Sequence, residues 1–182
     1  MLVRSIAIFA LVCSAAILAR AASNNLYEIV DPATSLRTLQ LVNVHTHNCP
    51  NDYPSAYGGD LELLFEAQQL GPHQVEYSLI PNLTGHTRVT IRRGNTMDTL
   101  TDGVVGQLTA PINEEAGHIR THRNITIRET VPFAITREQL IALSGAQVFQ
   151  FRINGQNISV QRCSYAKDLK NLTDFMNAAA TY

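Results

Sequence analysis

The chain has 182 residues, about 45% of them hydrophobic and 16% charged, with a formal net charge of −1 and no Trp. That apolar content sustains a core. The near-neutral balance excludes wholesale disorder and electrostatic binding of nucleic acid by the chain as a whole. With 10 Gly, 7 Pro and no sustained heptads, collagen, coiled-coil and low-complexity readings are excluded too.

Residues 1–21 read as a signal peptide. Arg4 forms a short basic region, Ser5 to Leu18 is an apolar run of 14 residues, and Ala19-Arg20-Ala21 puts small residues where a signal peptidase reads. The run is short for a membrane span of about 20 residues. Cleavage is expected after Ala21, with Ala22 as the alternative. It removes Arg4 and Arg20 and no acid, leaving 12 basic and 15 acidic residues and a formal charge of −3. No second apolar stretch approaches span length, so no membrane span is expected after cleavage. The cysteines that remain, Cys49 and Cys163, are expected to form a disulfide in an exported protein.

In chain order, residues 22–35 are polar and read as a lead-in to a single β-rich domain over 36–182. Leu36–His47 predicts a strand with Leu39, Leu41, Asn43, His45 and His47 on one face and Val42 and Val44 on the other. Asn48–Gly59 is a loop rich in Pro, Asn, Asp and Gly. Asp60–Leu70 fits both an alternating strand and a helix capped by Asp60; the strands that follow favour the strand. Gln74–Ile80 and Thr87–Arg93 alternate as strands, with turns at Pro81-Asn82 and Gly94-Asn95. Met97–Gly117 carries no clear pattern, and Glu114-Glu115 reads as part of a solvated loop. His118–Val131 predicts one or two strands.

Farther on, Thr136 and Gln139 have the capping-box spacing, Leu140, Ile141 and Leu143 follow, and Gly145 marks the helix end. Phe149, Phe151 and Ile153 alternate into Asn154-Gly155, which predicts a tight hairpin with Ile158 and Val160 on the return strand. Ser164 is placed to cap a last helix carrying Leu169, Leu172 and Phe175. The expected fold is mainly β, a β-sandwich or barrel-like pair of antiparallel sheets, with one or two short C-terminal helices.

The chemistry-bearing residues are few. His45-Thr46-His47 puts two imidazoles on one strand face, a spacing used by metal sites. Val42–His47 resembles the first-strand motif of amidohydrolase-type metal enzymes, where His-x-His closes the first strand of a (β/α)8 barrel. The resemblance covers six residues of a chain too short for the roughly 250-residue barrel, so no catalytic role is carried over. A third ligand would have to come from Asp52, Asp60, His73 or His86. His118 and His122, on one strand, would stand about 13 Å apart, too far to share one zinc ion. Arg88, Arg92, His118, Arg120, His122 and Arg128, with Arg93, outline a basic face able to hold a sulfated or uronic-acid glycan or a phosphate. Asn82, Asn124, Asn157 and Asn171 head glycosylation sequons, relevant in a eukaryotic secretory pathway.

No Gly-x-Ser-x-Gly, Cys-x-x-Cys or phosphate-loop motif is present. The expected function is therefore a secreted, non-catalytic binding or interaction module for an extracellular ligand or protein, without a cofactor. The alternatives are an extracytoplasmic hydrolase, metal-dependent through His45 and His47, and a small secreted inhibitor. Mass spectrometry of the exported protein is expected to find Ala22, or Ser23, at the N-terminus; an intact Met1 on the exported form would contradict the leader.

Overall fold

In the computed structural model, which describes residues 25–50, 57–120 and 125–182, the alternating segments build two antiparallel sheets. In chain order the strands are β1 (Leu26–Val30), β2 (Arg37–His45), β3 (Asp60–Gly71), β4 (Gln74–Gly85), β5 (Thr96–Thr101), β6 (Val104–Thr109), β7 (Glu115–Arg120), β8 (Ile125–Thr130), β9 (Phe133–Ala134), β10 (Val148–Asn154) and β11 (Ser159–Tyr165). The helices are α1 (Arg137–Ser144), α2 (Ala166–Leu169) and α3 (Leu172–Ala179). The larger sheet runs β1-β2-β3-β4-β8-β7, with β9 also paired to β4; the smaller runs β11-β10-β5-β6. The leader expected at 1–21, with its cleavage site, lies outside the described residues.

The inner faces of both sheets feed one hydrophobic cluster, as in a sandwich. From β3 come Leu61, Leu63, Phe65 and Ala67, every second residue, all buried. Phe65 sits opposite Leu41 of β2 and Leu79 of β4. From the smaller sheet come Met97, Phe149, Phe151, Ile153 and Val160, and the Phe149 and Phe151 rings stack with centroids 5.2 Å apart. Burying each such side chain contributes about 1.5–3 kcal/mol. The alternation therefore resolves Asp60–Leu70 as a strand. Leu169, Leu172 and Phe175 are buried too, and α1 begins with the expected capping box: the Gln139 N–H donates to Thr136 Oγ1 and the Thr136 N–H donates to Gln139 Oε1.

Several expectations are corrected. The segment read as a lead-in supplies β1, and Glu28 of that strand ion-pairs with Arg37 and accepts from the Tyr182 hydroxyl at 3.2 Å. In β2 the predicted faces hold only to Leu41. The register with β3 shifts between Leu41 and Val44, and Asn43 takes a positive φ of 58°. This bulge turns Val44 inward beside Leu39 and Leu41 and leaves Asn43 and His45 outside. Pro81-Asn82 is not a turn but the middle of β4. On the side of β4 away from β3, Ser78 and Leu79 pair with β9 and Asn82–Gly85 with β8. Pro81, without an N–H, falls between the two partners, where no ladder bond is lost.

Thr87–Arg93 is not a strand of either sheet. The Glu129 side chain, buried on β8, accepts the Val89 N–H at 2.7 Å and the Thr90 N–H at 3.0 Å. Thr90 has φ 58°, a conformation a β-branched residue rarely adopts. It is fixed from the other side by Gln156 N–H to Thr90 O at 2.9 Å and by Asn157 Nδ2 to Thr90 Oγ1 at 2.9 Å. Those two residues belong to the β10–β11 connection. With Asn154 opposite Ser159, it is a four-residue loop rather than the tight turn expected from Asn154-Gly155. Gly155 is required by close approach: a Cβ there would lie 2.4 Å from both Val89 Cγ1 and Val89 O. Met97–Gly117, unreadable in sequence, holds the β5–β6 hairpin and enters β7. Ser164 does not cap a helix; its buried hydroxyl donates to His45 O at 3.0 Å.

The Cys49–Cys163 disulfide is present, with Cα atoms 5.1 Å apart and both residues buried. His47 and Cys163 also exchange backbone hydrogen bonds of 2.7 and 2.8 Å, an isolated bridge joining the end of β2 to β11. The covalent loop separates its cysteines by 114 positions, which on chain entropy is worth about 4–5 kcal/mol. Reduction, or Cys49→Ser with Cys163→Ser, is therefore expected to lower the melting temperature by 10 °C or more, on the order of 3 °C per kcal/mol. A shift under about 2 °C would show the seam to be held without it.

A polar groove as the candidate functional site

The seam between β2 and β11 opens into a polar groove of about 610 Å³. One wall comes from the stretch that leaves β2: His45, Thr46, His47 and Asn48. The other comes from Gly59, Asp60 and Glu62 at the start of β3 and from Asn82 and Thr84 of β4, with Arg162 of β11 lining it as well. The register explains the meeting, since His45 is paired with Glu62, Glu62 with Asn82, and Asp60 with Thr84. Gly59 is needed here, because a Cβ on it would come within 2.4 Å of Thr84 O.

Each imidazole has its own carboxylate. His47 Nε2 lies 3.0 Å from Oδ2 of Asp168, and the same oxygen accepts the Tyr165 N–H at 3.0 Å, fixing the start of α2. The Asp168 side chain is nearly buried while the His47 ring is partly open. His45 is more exposed, with Nδ1 3.6 Å from Oε1 of Glu62, beyond hydrogen-bond length. Thr46 Oγ1 donates to Leu61 O. Arg162 is almost buried; Nη1 donates to Gln161 O at 2.8 Å and Nη2 to Gly59 O at 3.2 Å. Beneath it lies Tyr57, whose phenol is pushed up from its ordinary value by burial first and by the Glu129 charge second, so it stays protonated.

The groove thus brings together His45 and His47, which the sequence singled out, and Asp60, considered as a third ligand. Among the described residues, no three His, Cys, Asp or Glu side chains form a group that could hold a metal ion. Asp52 lies outside the described residues, and His73 lines a separate hollow beside Tyr77 and Tyr182.

The basic face has a different composition from the one expected. Arg88 and Arg92 turn toward Glu114, with Arg88 Nη2 2.9 Å and Arg92 Nη1 4.0 Å from Oε1; Arg88 Nε also lies 3.4 Å from Glu129 Oε1. The Glu114 side chain is fully buried, contrary to the solvated loop expected, and its Oε2 has no partner among the described residues. Arg93 stays exposed on a turn. Arg128 donates to Asn82 Oδ1 at 2.9 Å. His118 and Arg120 stand in β7, opposite Ile127 and Ile125 of β8; His122 lies outside the described residues.

Of the sequons, Asn82 lies mid-strand at the groove, Asn157 donates its amide to Thr90, and Asn171 stands just before α3; Asn124 lies outside the described residues. Asp168, Glu62 and Arg162 escaped the sequence reading, because nothing local marks a carboxylate that will meet a histidine 121 positions away.

No protein-family model, curated protein or solved structure matches the chain. Among the described residues no helix is long and apolar enough to cross a membrane.

Two substitutions separate framework from groove. Glu129→Ala orphans two buried backbone N–H groups and is expected to cost about 3 kcal/mol. His45→Ala removes an open side chain and is expected to cost less than about 1 kcal/mol. Denaturant melts of both variants check this, and similar losses in the two would contradict it.

Proposed function

We propose that the protein is a secreted, non-catalytic binding module whose ligand sits in the groove between His45–Asn48, the start of β3 and β4. The observation that carries this is the groove itself, within the usual 300–1,000 Å³ of small-ligand sites. Its lining mixes imidazole, carboxylate, carboxamide, hydroxyl and guanidinium groups. It stands on β-strands tied by a disulfide and a backbone bridge, so its walls are set before a ligand arrives. Secretion is supported by the leader pattern and by a disulfide suited to an oxidising compartment.

A hydrolase is the second reading, favoured by one observation: Asp168 orients His47 as a carboxylate orients a general base. Among the described residues the groove lining contains neither Ser nor Cys, and the Thr46 hydroxyl is engaged with Leu61 O, so this reading uses water as the nucleophile.

A thermal-shift screen of small polar compounds tests the reading. A ligand at one hundred times its Kd adds about 2.7 kcal/mol, a rise of several degrees. The rise is expected in the wild type and lost in His45→Trp, which crowds the groove from an exposed position. An equal rise in both forms would move the site elsewhere. Turnover of ester, amide or phosphoester substrates that disappears in His47→Ala would instead establish the hydrolase.

A further inference from the structure

We infer that the ligand of this groove is an organic cation, gripped through an ammonium or guanidinium group; the inference rests on the groove being the binding site. The reason lies in where the imidazole protons go. A neutral histidine has one N–H and one lone pair, and a neighbouring carboxylate draws the N–H to its own side. Asp168 at His47 Nε2 therefore leaves Nδ1 of His47 as an acceptor. Among the described residues no hydrogen bond or ion pair to protein atoms involves that nitrogen. His47 lines the groove, as do the carboxylates of Asp60 and Glu62.

The charges point the same way. Asp60 and Glu62 line the groove and Asp168 stands behind His47, against Arg162, the single lining cation among the described residues. Arg162 is nearly buried and aims two of its nitrogens at backbone carbonyls. Arg128, at the rim, is engaged with Asn82. With that second arginine counted the balance is still negative, so an anionic ligand would meet lone pairs and net repulsion, whereas N–H donors meet acceptors. A bare metal ion fits poorly, because among the described residues no three ligating side chains converge. A cation with several N–H donors spread over its length can reach acceptors that are themselves spread along a groove of about 610 Å³.

The test is calorimetric titration of the oxidised, full-length secreted protein, with backbone amide NMR to locate each site. The probes are spermidine, argininamide, citrate, lactose and zinc chloride. Spermidine or argininamide is expected to bind and to shift the amides of His45–Asn48 and Asp60–Glu62. Affinity is expected to fall tenfold or more in Asp60→Asn with Glu62→Gln, and also in His47→Phe, which removes an acceptor without touching a groove carboxylate and decides the matter if the double variant does not fold. Val105→Ser, on the exposed edge of β6, should leave affinity unchanged. Citrate, lactose or stoichiometric zinc at those amides, in place of the organic cations, would overturn the ligand class and keep the groove. Cation affinity undiminished in the variants would overturn it as well. If no probe moves those amides, both the ligand class and the groove reading fall.

Discussion

The exchange of backbone hydrogen bonds between His47 and Cys163 is the constraint on which the rest of this structure turns. It stitches the last residues of the β2 segment to β11, an outer strand of the other sheet. The disulfide from Cys49 and the Ser164 hydroxyl on His45 O tighten the same seam. Because β11 continues directly into α2, the bridge also delivers Asp168 to His47. The groove is thus a by-product of closing the sandwich at one corner. Its walls come from β2, β3 and β4 of the larger sheet, Arg162 reaches it from β11 of the smaller one, and its histidines are held by the residues that close it.

A second constraint works at the edge of the core. The 87–93 segment has the alternating pattern of a strand, but among the described residues no strand pairs with it to satisfy its backbone. Glu129 replaces that neighbour with a side chain, its two oxygens each taking one N–H. A buried carboxylate is tolerable only with such partners, and Arg88 adds a compensating charge. The arginines that looked like an anion-binding face are thereby drawn toward Glu114 and Glu129, acids that the sequence showed only as neighbours on a loop and a strand.

What was legible in the sequence was local. Alternation in β3 and around Phe149–Ile153, the Thr136–Gln139 box and the pairing of Cys49 with Cys163 all depend on residues a few positions apart, or on the small number of cysteines. What was illegible depended on distant chain. The bulge at Asn43 reversed the faces of β2 without any glycine to announce it. Pro81 read as a turn because its neighbours in space, β8 and β9, could not be seen. Asn154-Gly155 signalled a tight turn, but Gly155 is there to let Val89 approach. In the groove, His45 and His47 stood out as a motif, while Glu62, Asp168 and Arg162 acquire meaning only through register and the seam.

The same seam bears on how the chain acquires its shape. β2 is synthesised before its bridge partner, which lies 116 positions later, so the corner cannot close until the whole intervening stretch is available. Hairpins such as β3–β4 and β5–β6 need only adjacent residues and can form while synthesis continues. Until Cys163 arrives, the thiol of Cys49 and the end of β2 remain open to wrong partners, which makes the final closure the step most exposed to misassembly. The corner that carries the groove is in this sense a late product of folding, and ligand-binding competence would report the joining of β2 to β11 across everything between them rather than the formation of any one hairpin.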